Sequence, residues 1–266
     1  MQARETTTPA GADRRSTRTR AVADLAAALP LLLLFTLTTW TLFDLSGAYV
    51  WHTLGLYAGL AALVLATVPA VLPGRGLGAA NRVTLGRAMV TLPVAALVGQ
   101  PAIHHDGGHW WVIVLATAVM VTDGFDGWTA RRTGTATPYG ARFDMELDSV
   151  LMLALALLVA SSGKVGAWVV AAGLPRYLFV AAGWLYPPLA APLPPRRRRQ
   201  TVCVVQGIAL LVALGPIIPP PAAAAAALLG LAALVYSFGV DVVWTLAAER
   251  SGSRRASTSA SDGPPE

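Results

Sequence analysis

Residues 123–148 read DGFDGWTARRTGTATPYGARFDMELD, a polar stretch that joins two apolar runs. The runs, roughly residues 109–130 and 143–162, approach the ~20 apolar residues that a helix needs to cross hydrocarbon. Gly134 and Pro138 are expected to end the first helix and turn the chain back. The stretch therefore predicts two neighbouring membrane helices whose polar ends face each other.

The rest of the chain has the composition of a membrane protein. Of its 266 residues, 55% are hydrophobic and 13% are charged, and the mean hydropathy is +0.57. Unpaired backbone groups are costly in lipid, so segments this apolar and without strand alternation are expected to be helices. We predict an all-α, polytopic membrane helix bundle, with apolar segments at about 21–43, 49–72, 83–99, 109–130, 143–162, 165–187, 201–219 and 222–247.

Composition argues against cysteine-based structural or redox sites and against nucleic-acid binding. The single cysteine, Cys203, cannot form an intramolecular disulfide, a zinc knuckle or a redox pair. The formal net charge of +6 is carried by arginines in short stretches between the apolar runs, not along one amphipathic face. This distribution indicates membrane orientation and no nucleic-acid partner.

The arginines also predict which side of the membrane each loop occupies. If residue 1 is cytoplasmic, the outside loops hold almost nothing basic except Lys164. By the positive-inside rule, both termini and the 123–148 turn are then cytoplasmic. The inside loops and tails after the first span hold Arg75 and Arg82, then Arg131, Arg132 and Arg142, then Arg196 to Arg199, then Arg250, Arg254 and Arg255.

The first half of the polar stretch places ligand-binding groups on one helix face. At about 100° per residue, Asp123, Asp126, Gly127, Ala130 and Arg131 share that face. Two carboxylates three residues apart offer oxygen ligands to a hard cation such as Mg²⁺. Gly127 and Ala130 leave room for a flat base or for phosphates. The planar fork of Arg131 suits phosphate oxygens.

The second half repeats the pattern on the next helix. Gly140, Asp144 and Asp148 lie at i, i+4 and i+8 on one face, whereas Glu146 points nearly the opposite way. Each helix end thus brings two carboxylates. Four carboxylates suit a pair of divalent ions that clamp a pyrophosphate.

These residues resemble a known family signature. The pattern D-x2-D-G-x2-A-R-x8-G-x3-D-x3-D of the CDP-alcohol phosphotransferases is matched at all eight fixed positions, from Asp123 to Asp148. The resemblance covers about Asn81 to Ala247. The segment Asn81-Arg-Val-Thr84-Leu-Gly-Arg87 also resembles the start of the family's first core helix, and it assigns Thr84 to nucleotide binding.

The resemblance implies a reaction and roles for these residues. A six-helix core would carry the signature on its second and third helices, with Gly127, Ala130, Arg131 and Gly140 at the nucleotide. Two ions, Mg²⁺ or Mn²⁺, would be held by Asp123, Asp126 and Asp144, with Asp148 ligating or beside one of them. Asp148 would take the proton of an alcohol that attacks the donor's β-phosphorus, and CMP would leave without a covalent enzyme intermediate.

Two further basic features have alternative interpretations. Arg176 lies inside an apolar segment, and its counterpart region in similar enzymes helps to bind the acceptor's phosphate. It could instead snorkel or pair with a carboxylate such as Asp241. Arg198, in the run 196–199, is a second candidate for acceptor binding, against an orientation signal or a contact with anionic lipid.

The domain prediction follows from the extent of the resemblance. Residues 1–20 and 250–266 are predicted as disordered tails, residues 21–72 as an extra N-terminal transmembrane hairpin, and residues 76–249 as the six-helix core. The family resemblance also allows a homodimer.

Substrates and location are expectations at this point. The composition, rich in Ala, Arg and Gly and poor in Lys, favours a bacterial plasma membrane and CDP-diacylglycerol as the donor. Glycerol 3-phosphate, inositol or its phosphate remain open as acceptors. The alternatives are an intramembrane prenyltransferase with Asp-rich motifs, in which the two motifs lie far apart in sequence, and a transporter, which would show paired half-repeats.

Overall fold

The computed structural model describes residues 10–69, 72, 77–133, 137–186 and 197–261, and the side chains of 10–16, 124–133, 197 and 244–261 lie outside the description. All regular structure in these ranges is helical, which confirms the predicted all-α class. Eight α-helices are described: α1 Ala10–Leu42, α2 Gly47–Thr67, α3 Ala79–Ala96, α4 Asp106–Thr133, α5 Pro138–Ser161, α6 Pro175–Leu185, α7 Arg197–Leu214 and α8 Pro220–Ser261.

The helices have the length and outer surface of a membrane bundle. Among the described residues, three helices are long and apolar enough to cross a membrane: Thr17–Leu42, Gly47–Thr67 and Pro220–Val243. Large apolar side chains such as Trp51, Leu185 and Leu229 are largely exposed. A soluble monomer rarely exposes so much apolar surface, whereas a bilayer covers it. The chain is therefore an integral membrane protein.

Helix α3 lies at the centre of the packing. It contacts α1, α2, α4 and α5, while α7 packs against α4, α5 and α8. One cluster of buried residues joins α1 and α2 to α3 and to the first turns of α5, through residues such as Leu25, Val64, Leu85 and Phe143. The predicted N-terminal hairpin is thus a packed layer on α3.

Polar side chains connect the hairpin to the other helices inside the apolar interior. The hydroxyl of Tyr49 on α2 donates to the carbonyl of Pro93 on α3 at 3.3 Å. Trp111 Nε1 on α4 donates to Thr39 Oγ1 on α1 at 2.9 Å. Since a buried polar group without a partner is costly, these bonds favour one register of the hairpin on α3 and α4.

The sixth predicted segment, residues 165–187, is not one helix, and the prediction needs correction there. It consists of a 3-10 helix, Ala167–Ala172, followed by α6, which begins at Pro175. Proline lacks the amide donor and clashes with the preceding turn, so it favours the first turn of a helix over the interior. A Cβ on Gly173 would lie 2.6 Å from the Cα of Leu153, so the break also lets the chain approach α5 closely.

Helix also extends into both segments that are predicted as tails. Helix α1 begins at Ala10 and α8 extends to Ser261, so residues 10–20 and 250–261 are helical. Adding a residue to an existing helix gains a hydrogen bond without a new nucleus, and the Ala and Arg residues of these segments are good helix formers. Residues 1–9 and 262–266 lie outside the described ranges.

Candidate active site

Three of the four predicted metal-binding carboxylates meet in space. Asp123 lies on α4, and Asp144 and Asp148 lie one turn apart on α5. One ligand oxygen from each carboxylate can be chosen so that all three lie within 4.8 Å of one another. The three side chains are 34–41% exposed, so the cluster is open to a ligand. We call these residues the carboxylate triad.

A buried arginine holds the triad together. Arg87 on α3 has a side chain that is only 3% exposed. Its Nη1 lies 2.8 Å from Asp123 Oδ1 and 2.5 Å from Asp144 Oδ1, and its Nη2 lies 2.7 Å from Asp148 Oδ1. Its Nε donates to the carbonyl of Val119 at 3.3 Å. One guanidinium therefore links three helices at the site.

The electrostatics of the triad explain why such a cation is needed. Asp123 and Asp144 both repel the negative charge on Asp148, and Arg87 offsets this repulsion. Like charges this close cannot all ionise without a counter-charge. With one guanidinium against three carboxylates, the described residues leave negative charge that can accept more cationic charge.

Local sequence brings α5 close to α3. A Cβ on Gly140 would lie 2.3 Å from Asn81 Oδ1, so only glycine allows this approach without displacing Asn81. The Asn81 side chain is buried and donates to the carbonyl of Leu77 at 2.7 Å. Thr137 caps α5, because its hydroxyl accepts from the Gly140 amide at 3.0 Å. Gly140 thus has a packing role, and its predicted nucleotide contact stays a prediction.

The other residues predicted at the nucleotide are only partly described. Helix α4 contains all of Asp126, Gly127, Ala130 and Arg131, but their side chains lie outside the described part of the structure. Thr84 is buried on α3, one turn before Arg87, and its hydroxyl donates to the carbonyl of Ala80 at 3.3 Å. Their predicted roles remain predictions.

The predicted acceptor residues form ion pairs of their own. Arg176 on α6 pairs with Glu146, which lies on nearly the opposite face of α5 from Asp148. Arg198 on α7 pairs with Asp241 on α8 at 2.5 Å. Asp241 therefore has a partner in Arg198, whereas the sequence had suggested Arg176 as one. In both arginines Nε is buried and has no hydrogen-bond partner among the described residues.

A cavity of about 450 Å³ lies away from the triad. It is bounded by α2 and by the face of α5 that carries Glu146. Its lining includes Leu63, Val64, Tyr139 and Phe143, and none of the triad carboxylates. This cavity is distinct from the candidate active site.

Arg87 is the site residue that sequence reasoning missed. The segment Asn81–Arg87 was related to the family's first core helix, but only Thr84 was assigned a role within it. The available signal was an arginine inside an otherwise apolar segment, which usually indicates a charge partner or a cavity. Its partners could not be identified, because spacing along one helix does not reveal contacts with two others.

The arrangement suits a divalent cation bound to oxygen ligands. Carboxylate oxygens are the ligands that Mg²⁺ and Mn²⁺ prefer. The triad supplies three carboxylates, all partly exposed and already compensated by a positive group. The residues present therefore fit a metal site of this kind.

Comparison with known proteins identifies the family of the chain. A sequence model of the CDP-alcohol phosphatidyltransferase family matches residues 77–239, more than half of the chain. The matched region includes Arg87 and the whole triad, and it begins after the N-terminal hairpin. No solved structure matches the chain. With the family signature on α4 and α5 and three of its carboxylates in contact with one buried arginine, the chain belongs to the CDP-alcohol phosphatidyltransferase family.

Proposed function

We propose that this membrane enzyme transfers the phosphatidyl group of CDP-diacylglycerol to a small alcohol and releases CMP, within phospholipid synthesis. Family membership makes it a transferase that acts on a CDP-alcohol donor and an alcohol acceptor. The observation that carries the assignment is the convergence of Asp123, Asp144 and Asp148 on Arg87 inside the matched region. Residues 76–249 are proposed as the catalytic core.

The proposed chemistry needs no nucleophilic side chain. The acceptor's hydroxyl oxygen forms a bond to the β-phosphorus of the donor, the bond from that phosphorus to the bridging oxygen breaks, and CMP leaves with the electron pair. Asp148 takes the hydroxyl proton, as a general base within a carboxylate cluster can. Two divalent ions held by Asp123, Asp126, Asp144 and Asp148 would neutralise the charge of the pyrophosphate.

The nucleotide and acceptor contacts are proposed from the signature and from the buried Nε atoms of two arginines. Gly127, Ala130, Gly140 and Thr84 would lie along the nucleotide, with Arg131 at its phosphates. Arg176 and Arg198 would bind the acceptor's polar group. Within the part of the chain that the structure describes, the buried Nε atoms of both arginines have no hydrogen-bond partner, which supports an anionic ligand there. Glycerol 3-phosphate, inositol and inositol phosphate are the proposed acceptors.

The test is CMP release by purified protein supplied with CDP-diacylglycerol and, in turn, each proposed acceptor. Activity is expected with one of them, is expected to vanish with excess chelator, and should return with Mg²⁺ or Mn²⁺. Asp106→Asn is a matched control, because Asp106 is an exposed carboxylate in the first turn of the same helix as Asp123. This variant should keep full activity.

Two results would contradict the proposal. Full CMP release in excess chelator would overturn the metal-dependent mechanism. Release of inorganic diphosphate from a prenyl diphosphate, with no CMP formed from any CDP-linked donor, would favour a prenyltransferase instead.

A further inference from the structure

The guanidinium of Arg87 occupies the place where positive charge is needed. It is almost completely buried, it is anchored through Nε to the Val119 carbonyl, and both terminal nitrogens contact triad oxygens. The contacts at Asp123, Asp144 and Asp148 are all made to Oδ1. The same carboxylates are the ones that can converge on a metal ion.

Arg87 and a divalent ion would therefore both be bound by the carboxylates of the triad. A cation bound to these oxygens at about 2.1 Å would lie next to the guanidinium nitrogens, since these nitrogens are within hydrogen-bond distance of the same carboxylates. Two cations this close repel each other, and the burial of Arg87 limits how far water can screen that repulsion. At least part of the Arg87 contacts must then be released or weakened when the ion binds.

We propose that Arg87 is an internal stand-in for the metal: it keeps the carboxylate triad assembled when no ion is bound, and it competes with the ion for the triad. Arg87 is thus a positioning residue that lowers the intrinsic metal affinity in exchange for a preassembled site. Because Arg87 belongs to α3, metal binding is coupled to the contacts that α3 makes with α4 and α5. The inference uses the metal site of the family and does not depend on the identity of donor or acceptor.

The experiment compares Arg87→Gln with the wild-type protein by Mn²⁺ titration calorimetry without substrate, and by thermal unfolding in chelator and in saturating Mn²⁺. Removing a competing cation should tighten Mn²⁺ binding by about tenfold, as expected for a coupling of ordinary size. Arg87→Gln should unfold at a lower temperature than wild type in chelator, and most of this difference should disappear in saturating Mn²⁺.

Two variants control for charge and for general effects on α3. Arg87→Lys keeps the charge, so its Mn²⁺ affinity should stay closer to that of wild type than to that of Arg87→Gln. Arg82→Gln removes an arginine from the same helix that pairs with Asp24 and not with the triad. Its Mn²⁺ affinity should equal that of wild type.

The outcomes show whether Arg87 replaces the metal ion at the triad or only supports the packing of α3. Unchanged or weaker Mn²⁺ binding by Arg87→Gln would overturn the proposal, and so would a loss of thermal stability that saturating Mn²⁺ does not reduce. A variant that is folded with Mn²⁺ and unfolds when the ion is removed would support it. A variant that does not fold even in saturating Mn²⁺ would overturn it, since the ion then cannot replace the guanidinium. None of these readouts requires CMP release.

Discussion

Asp144 and Asp148 differ by one helical turn but contact different nitrogens of Arg87. Asp144 shares Nη1 with Asp123 from the neighbouring helix, whereas Asp148 contacts Nη2. Asp148 therefore contacts a different guanidinium nitrogen from the one at which Asp123 and Asp144 meet. This asymmetry fits a division of roles in which Asp123 and Asp144 organise metal and donor while Asp148 accepts the proton.

Asparagine substitutions test that division. Asp148→Asn should lower turnover by about 10²–10⁴-fold and keep much of the donor affinity, because proton acceptance is lost while the other ligands remain. Asp144→Asn should weaken both metal and donor binding, because an amide lacks the charge that a divalent cation requires. Calorimetry of donor binding on both variants, beside their turnover, is the measurement. If Asp148→Asn loses donor binding as completely as Asp144→Asn, the general-base role of Asp148 is wrong.

The contact between Gly140 and Asn81 predicts a specific pair effect on stability. Gly140→Ala should destabilise the fold by about 1–3 kcal/mol, because its Cβ would overlap the buried Asn81 side chain. In the double variant Asn81→Ala, Gly140→Ala, that overlap is removed. The two effects should then fall short of additivity by about 1 kcal/mol or more in thermal unfolding. Additive effects would mean that the two helices do not depend on this contact.

The triad could be predicted from residue spacing, because spacing determines which side chains share a face within each single helix. Asp144 and Asp148 share a face of α5 at any register of the bundle, and a short turn must bring the end of α4 close to them. The contacts of Arg87 depend instead on how α3 sits between α4 and α5. That information lies in packing between distant segments, so the sequence alone did not reveal it.

At the level of elements, seven of the eight predicted apolar segments correspond to single α-helices in the described ranges. Long apolar runs are predictable because burial in lipid demands helix. The break in the sixth segment was missed, although Gly173 and Pro175 mark it, because mean hydropathy does not register a local change in hydrogen bonding. Apolar content also does not decide where a helix ends, so it gave no bounds for α1 and α8 within the tail segments.

The N-terminal hairpin is attached to the core by Asp24 on α1. Asp24 Oδ2 accepts from the Leu77 amide at 2.7 Å, and Asp24 Oδ1 accepts from Arg82 Nε at 2.9 Å. Both partners lie at or just before the start of α3, the helix that carries Arg87. Asp24 therefore fixes the position of α1 against the N-terminal end of α3.

Asp24→Asn should weaken this attachment and lower the free energy of unfolding by about 1–2 kcal/mol. The side-chain oxygen of the new asparagine can still accept from the backbone N–H of Leu77, but the charge-assisted hydrogen bond from Arg82 is lost. Asp44→Asn is the matched control, since Asp44 is exposed in the turn after α1, and its positive φ of 46° suits asparagine as well as aspartate. Equal unfolding temperatures for the two variants would show that Asp24 does not anchor the hairpin.

At the scale of the whole molecule, apolar side chains cover much of the outside while the interior holds a polar centre. Arg87, Asn81, Gln206 and Asp241 are buried among the helices. This inverted distribution follows from solvation: lipid accepts apolar groups anywhere, whereas ionic groups need partners inside the bundle. It also explains why composition alone identified a membrane protein but not which helices enclose the site.

Orientation is the remaining property of the whole molecule that the sequence predicts and that can be measured directly. The basic loops predict that the turn between α4 and α5 is cytoplasmic and that the turn between α3 and α4 is outside. Ala141 and His105 are exposed residues near these two turns, and the single native cysteine, Cys203, is first replaced by serine. In intact cells, an impermeant thiol reagent should label His105→Cys and should label Ala141→Cys only after the membrane is permeabilised.

A CDP-linked donor and CMP are charged molecules that do not cross lipid, so an active site at the outer surface would lack access to cytoplasmic nucleotides. Labelling of Ala141→Cys in intact cells, with His105→Cys protected, would reverse the orientation and exclude a cytoplasmic active site.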